Sequence, residues 1–247
     1  MRITVITICW NSERTLERTV RSLLAQTRRP DEYILVDGGS TDGTWELANR
    51  LGRELEQAGV AWHWLVQERR EGEAGIPSAW NQGIRQATGE VIALLNSDDW
   101  YEPGTLAQVT AAFEENPSAD LVVAPIRLLD KDGAPCGILG ARPLWWTEFL
   151  MPLPHPGCFV RAELYTRLGL YDTHYRISAD YDFVWRCRKA KATIHALDTP
   201  FVNMETGGLA NSSRAAARRE TLDIARKYSR FPLLPWAAWL LRTVLRK

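Results

Sequence analysis

Leu94-Leu95-Asn96-Ser97-Asp98-Asp99-Trp100 is the stretch whose reading decides the fold. The apolar run that leads into it, residues 91–95, has the unbroken hydrophobicity of a strand buried on both faces of a parallel sheet. It stops abruptly at two adjacent carboxylates. Open α/β sheets hold their ligands just beyond the carboxyl ends of such strands. Neighbouring aspartates repel one another there unless a cation or ligand hydroxyls neutralise them. The same residues also read as a solvated Ser-Asp-Asp turn feeding a helix after Pro103, so by itself the stretch points to a class of fold and leaves the function open.

Upstream, Ile3-Thr4-Val5-Ile6-Thr7-Ile8 is β-branched and predicts a first strand. Asn11-Ser12 offers a helix cap, and Leu16, Val20, Leu23 and Leu24 recur at helical spacing. Tyr33-Ile34-Leu35-Val36 is a second strand ending at Asp37, which completes a βαβ opening. Gly38-Gly39-Ser40-Thr41-Asp42-Gly43 then leads into a helix over 45–55 and lacks both GxGxxG and GxxxxGK[ST] spacing, so neither a dinucleotide fingerprint nor a P-loop is indicated. Residues 60–66 predict a third strand, 68–75 a polar loop, and Pro77-Ser78 the start of a helix carrying Trp80, Asn81 and Ile84. Asp37 and Asp98, both at strand ends, are placed to accept hydrogen bonds from a base or ribose. Arg69, Arg70 and Asn81 lie near a helix start, where backbone N–H groups favour an anion such as a diphosphate; each arginine also reads as solvated surface.

Composition narrows the class. The 247 residues are 45% hydrophobic and 24% charged, enough for one large α/β domain. Thirty basic residues cancel thirty acidic ones, so nothing global supports nucleic acid as a partner. Cys9, Cys136, Cys158 and Cys187 show no CxxC spacing, which fits a reducing cytosol better than a zinc or disulfide framework. The chain opens directly on a strand with no secretory signal, and no apolar run reaches membrane-spanning length.

Downstream, a helix is predicted over 103–113, a strand over 121–126, a hairpin turn at Asp130-Lys131-Asp132-Gly133 and a further strand over 193–202. Residues 143–156 are rich in tryptophan, leucine and proline, and read as core or as an acceptor-side or membrane-facing surface. Asp180 and Asp182 open a helix, either as dipole caps or as rigidly held functional acids. From Arg214 the chain is helical and basic. Residues 231–247 mix tryptophan and leucine with terminal cations, which suits an interfacial helix on anionic lipid or a helix docked on protein.

Residues 4–11, Asp37-Gly38-Gly39-Ser40-Thr41-Asp42-Gly43, Ala79-Trp80-Asn81-Gln82-Gly83 and Asn96-Ser97-Asp98-Asp99 follow the order and spacing of glycosyltransferase family 2, the inverting GT-A fold enzymes, which the chain resembles over residues 1–205. The resemblance implies a Rossmann-like, mainly parallel α/β sheet with helices on both faces, a small antiparallel excursion and C-terminal helices. Residues 1–126 would form the nucleotide-binding half, 127–205 the acceptor half, and 206–247 a flexible loop and basic amphipathic helices. It further implies that Trp10 lies against the nucleotide base, that Asp37, Asn81 and Asp98 contact the nucleotide sugar, and that Asp99 holds Mg²⁺ or Mn²⁺. The usual Asp-x-Asp reads Ser97-Asp98-Asp99 here, so the first acid is missing and the metal rests on few protein contacts, as Mg²⁺ tolerates. His155, in a His-x-Gly-x-Phe stretch, becomes a contact to acceptor or diphosphate. Asp180 becomes the catalytic base, with Ala179 in place of the family's glutamate and Asp182 in reserve. Gly207-Gly208-Leu209-Ala210-Asn211-Ser212-Ser213 resembles a loop that closes over substrate.

The implied activity is transfer of one sugar from a nucleotide-diphosphate sugar, with a lean to UDP, to a saccharide or lipid-linked saccharide in polysaccharide biosynthesis. It would take place in the cytoplasm or at the inner face of the membrane. No Gln-x-x-Arg-Trp motif marks a processive synthase. The rivals are a sugar-nucleotide nucleotidylyltransferase, whose basic glycine-rich signature is missing near residues 7–11, and a non-catalytic nucleotide-sugar-binding module.

Overall fold

The computed structural model describes residues 1–68, 75–199, 202–206 and 214–244. Its main sheet has the strand order β10-β6-β9-β4-β1-β2-β3, made of β1 (Ile3–Cys9), β2 (Glu32–Asp37), β3 (Ala61–Val66), β4 (Val91–Leu94), β6 (Leu121–Val123), β9 (Cys158–Arg161) and β10 (Ile194–Ala196). All run parallel except β9, which is antiparallel between β4 and β6.

The central strands are buried on both faces, and alternate residues feed two cores. Val5, Tyr33, Leu35, Val91 and Ala93 pack under α1 (Leu16–Leu24), α2 (Thr44–Gln57) and α4 (Thr105–Glu115). Ile6, Ile34, Val36, Ile92 and Leu94 pack under α3 (Ile76–Gln86), α5 (Ala162–Leu168) and α6 (Ala179–Lys189).

A second sheet, β5-β11-β7-β8, joins β5 (Trp100–Tyr101), β7 (Ile126–Leu129), β8 (Pro135–Leu139) and β11 (Val202–Glu205). The β7–β8 hairpin is the expected antiparallel excursion. It turns where the Asp130 carboxylate accepts the Asp132 and Ala134 N–H groups at 2.9 Å. Two predicted strands divide between the sheets. Residues 121–126 break at Ala124-Pro125, since proline has no N–H for the ladder, and Ile126 opens β7. Residues 193–202 break between β10 and β11.

Two helices follow, α7 (Arg214–Tyr228) and α8 (Leu234–Val244). The first of them packs back on the domain. Ile224 and Ala225 of α7 are buried in the second core, and Tyr228 stacks on Trp185 of α6 at 5.8 Å between ring centroids. Among the described residues no helix is long and apolar enough to cross a membrane.

Candidate active site

The loops leaving β1, β2 and β4 meet at the carboxyl rim of the sheet and are laced together. Asn11 N–H donates to Ser40 Oγ, Thr41 N–H to Asn11 Oδ1 and Ser12 N–H to Thr44 Oγ1, each at 2.8 Å, while Ser12 and Ser97 hydroxyls lie 2.9 Å apart. Asn11 therefore does not cap α1 as its sequence suggested. It takes a left-handed φ of 50°, which asparagine tolerates, and pins the loop after β2. The helix begins at Leu16, with the Ser12 carbonyl taking the Thr15 and Leu16 N–H groups.

Asp37 closes β2 almost fully buried. Its carboxylate accepts the Ser40 hydroxyl at 2.6 Å and the Ser40 N–H at 3.2 Å, which presets its direction. Trp10 stands beside Gly38 and leaves 68% of its surface open, an unusual cost for an indole in a single chain.

The two acids after β4 differ. Asp99 is 1% exposed. The Asn96 amide donates to its Oδ2 at 3.2 Å, and burial, followed by the charge of Asp98, pushes its carboxyl well above the usual range. Asp98 is only half-buried; burial raises its carboxyl too, with Glu205 adding to the effect and Arg18 opposing it. Arg18 holds this turn together. It donates to the Asp98 carbonyl at 3.0 Å and to Glu205 at 2.6 Å, and its guanidinium lies 3.7 Å from the centroid of the Trp100 ring. The acid expected at the metal is thus the sequestered one, and the accessible carboxylate belongs to Asp98.

Among the described residues no three His, Cys, Asp or Glu side chains converge as a metal site. A lone accessible carboxylate is a hard oxygen donor, and it suits a cation that keeps waters and substrate phosphate oxygens as its other ligands.

Asn81, expected at the nucleotide sugar, makes a structural contact. It is 3% exposed, and its amide is committed on both sides, donating to Tyr171 O at 2.8 Å and accepting from Tyr171 N–H at 2.9 Å. It anchors the segment before α6 to α3. Arg69, Arg70, the rest of their loop and residues 207–213 lie outside the described residues.

The other flank of the rim rests on the reversed strand. Because β9 is antiparallel, its start lies at the carboxyl edge and brings the 3-10 turn His155–Gly157 there. Gly157 is required, since a Cβ would sit 2.0 Å from the Ala124 carbonyl. The His155 ring lies 4.4 Å from that of Trp80 between centroids; burial pushes it down to about 4, so it is neutral near pH 7, and its Nε2 is buried with no partner among the described residues.

His155, Cys158, Tyr171, Phe183 and Asp180 line one narrow cavity. Asp180 makes no ion pair with any described residue, and its carboxylate accepts the adjacent Tyr181 N–H at 2.8 Å. Burial raises its carboxyl to about 6, against the pull of the backbone N–H groups.

Asp182, two residues on, points the other way, because successive helical positions turn by 100°. It is 0% exposed and accepts from Arg186 Nε at 2.8 Å, Lys227 Nζ at 3.2 Å and the Tyr228 hydroxyl at 2.9 Å. Lys227 and Tyr228 thereby fix it to α7, while Arg186 holds it from within α6. Sequence reasoning missed Ser40, which bonds Asp37 three residues back, and Ser97 and Arg18, whose partners are distant in the chain and carry no local signal.

The sequence model described as glycosyl transferase family 2 matches residues 4–135. A PGL/p-HBAD biosynthesis glycosyltransferase of Mycobacterium bovis (strain BCG) is 32% identical over 207 residues, which cover 82% of this chain and 76% of that one. Two solved structures share the fold at 19% identity. Staphylococcus aureus TarS 1-349 in complex with UDP-GlcNAc has a TM-score of 0.73 over 100% of this chain and 74% of that one. The mannosyltransferase PcManGT of Pyrobaculum calidifontis in complex with GDP-Man and Mn²⁺ has a TM-score of 0.69 over 100% of this chain and 76% of that one. The chain spans 44% of a longer TarS chain.

Proposed function

The chain belongs to glycosyl transferase family 2, and from that premise we propose that it transfers one sugar, with inversion, from a nucleotide-diphosphate sugar to a hydroxyl of a saccharide or lipid-linked saccharide. UDP-linked donors are the first to test. The open face of Trp10 stacks on the base, and the preset carboxylate of Asp37 accepts hydrogen bonds from base or ribose. Asp98 faces the ribose and offers the accessible carboxylate to Mg²⁺ or Mn²⁺. When bound, such a cation offsets the charge developing on the departing diphosphate.

The observation that carries the reading is the contrast at the start of α6. Asp180, unpaired and raised to about 6, lines the cavity beside His155 while Asp182 is locked. A carboxylate so raised is ionised at neutral pH yet more basic than a solvated one, as a general base requires. The acceptor oxygen bonds to the anomeric carbon as its proton passes to Asp180, and the bond from that carbon to the diphosphate oxygen breaks on the opposite face. Neutral His155 offers its unpartnered Nε2 to a hydroxyl of the acceptor. Asp180→Asn tests this: release of nucleotide from a donor sugar falls about 10²–10⁴-fold, while calorimetry finds donor affinity within twofold. In the parent, turnover rises with pH through about 6 as Asp180 ionises. Undiminished turnover in the variant would move the base elsewhere.

The acceptor side also has a surface suited to lipid. Trp145, Phe231, Leu233, Trp236, Leu240 and Leu241 are exposed along the 3-10 turn Leu144–Glu148 and the C-terminal helix α8 with the residues leading into it. Residues 214–247 hold nine cations against two acids in a chain whose total charge is balanced. Apolar side chains among cations favour the interface of anionic lipid, which supports a working position at the cytoplasmic membrane surface. Removing residues 231–247 should abolish co-sedimentation with phosphatidylglycerol vesicles; unchanged sedimentation would reject the membrane role.

A further inference from the structure

The start of α6 has no cap of its own. Ser178 stands at the N-cap, but its hydroxyl turns to the Ala217 carbonyl of α7 at 3.4 Å rather than to the helix. Helix beginnings leave backbone donors in need of acceptors. Here the three consecutive amides leading into the helix, those of Arg176, Ile177 and Ser178, donate to one carboxylate at 3.0, 2.9 and 2.8 Å. That carboxylate is Glu220, more than forty residues later in the chain and on α7. One turn further along α6, Lys227 and Tyr228 of the same helix grip Asp182. Asp180 therefore lies between two bolts, both driven from α7.

We propose that Glu220 is a positioning residue for glycosyl transfer: it ties the residues leading into α6 to α7, fixes the direction of the Asp180 carboxylate and keeps a second negative charge beside it. The inference rests on reading Asp180 as the base. Four titratable groups face Asp180: Glu220 from α7, Cys158 from β9, Tyr171 from the segment before α6, and His155 from the 3-10 turn. Burial keeps the thiol and the phenol protonated and the imidazole neutral near pH 7, so Glu220 supplies the charge. Its electrostatic effect raises Asp180 on top of burial.

The geometry thereby makes α7 part of the active site, although it lies beyond the residues that the family model matches. A glutamine at position 220 keeps one acceptor oxygen for the three amides and removes the charge. The test is the pH profile of nucleotide release from UDP-GlcNAc and GDP-mannose by the full chain, comparing the parent, Glu220→Gln and Asp180→Asn. For Glu220→Gln the expected kcat is lower by about 10- to 100-fold, as for a base displaced by about 1 Å. KM should stay within twofold, and the acid limb should move to lower pH because the neighbouring negative charge is gone.

An unshifted limb with parent-like kcat would overturn the proposal. So would a loss seen equally in donor affinity with the limb in place, since that is what a merely structural role predicts. The Asp180→Asn arm separates the two ideas. Turnover retained there removes the base assignment and this inference with it. Turnover lost there, with Glu220→Gln behaving as the parent, removes this inference alone.

Discussion

The two flanks of the rim are built on different principles. The flank with Trp10, Asp37 and Asp98 uses successive strand–loop–helix units, and its loops are laced by short side-chain-to-backbone bonds close to the residues they orient. The flank with His155 and Asp180 depends on a reversed strand and on a helix from the far end of the chain. Ligand-gripping loops at adjacent parallel strand ends are set by the sheet itself. An acid on a helix outside the sheet needs a brace, and α7 supplies it. The two flanks should therefore fail differently under substitution.

Asp182 gives the largest expected break. Replacing it with asparagine leaves Arg186 and Lys227 without their shared anion and should lower unfolding free energy by about 3–5 kcal/mol in urea titrations. A loss under ~1 kcal/mol would show that the bolt to α7 does not brace this flank.

Asp180→Asn should move stability the other way. The Asp180 carboxyl is raised in the folded state, so its ionised form disfavours folding once the pH exceeds the unfolded value of about 4. The variant's gain should be absent below about pH 4, grow up to about pH 6 and reach about 1–2 kcal/mol above it, after discounting for partial solvent contact. A variant with no pH-dependent gain would contradict the raised carboxyl.

On the nucleotide flank the effects should appear in binding and leave folding intact. Trp10→Ala should weaken donor binding by about 1–3 kcal/mol, the worth of one base stacked on an aromatic ring, or roughly 5- to 140-fold in Kd. Melting temperature should hold, because the indole is already exposed.

The smallest change is expected at Asp99. Its carboxyl is 1% exposed and already takes the Asn96 amide, so Asp99→Asn should leave the Mn²⁺ dependence of donor binding within about threefold, whereas Asp98→Asn should remove most of that dependence in calorimetry. The reverse ranking would return the metal to Asp99.

The first flank was largely legible. Strand runs ending at Asp37 and Asp98 announce themselves through hydrophobic periodicity and the abrupt change to carboxylates. What misled was any polar residue whose partner is distant. Asn81 reads as a ligand contact, and nothing local announces that Tyr171, ninety residues away, bonds both ends of its amide. Asp98 and Asp99 are adjacent and chemically identical, and Thr19, Asn96 and Arg18 decide which is sequestered.

The order of strands and helices, the parallel βαβ opening and the acids at the strand ends followed from the chain alone, because local propensity and periodicity act over a few residues. The reversal of β9, the division of residues 121–126 between two sheets, the hold of α7 on Asp182 and the tie of Glu220 to the residues leading into α6 were decided only in the tertiary structure. Each depends on groups far apart in sequence meeting in a water-poor interior, where a polar atom must find a partner and the partner's position determines what that atom is free to do.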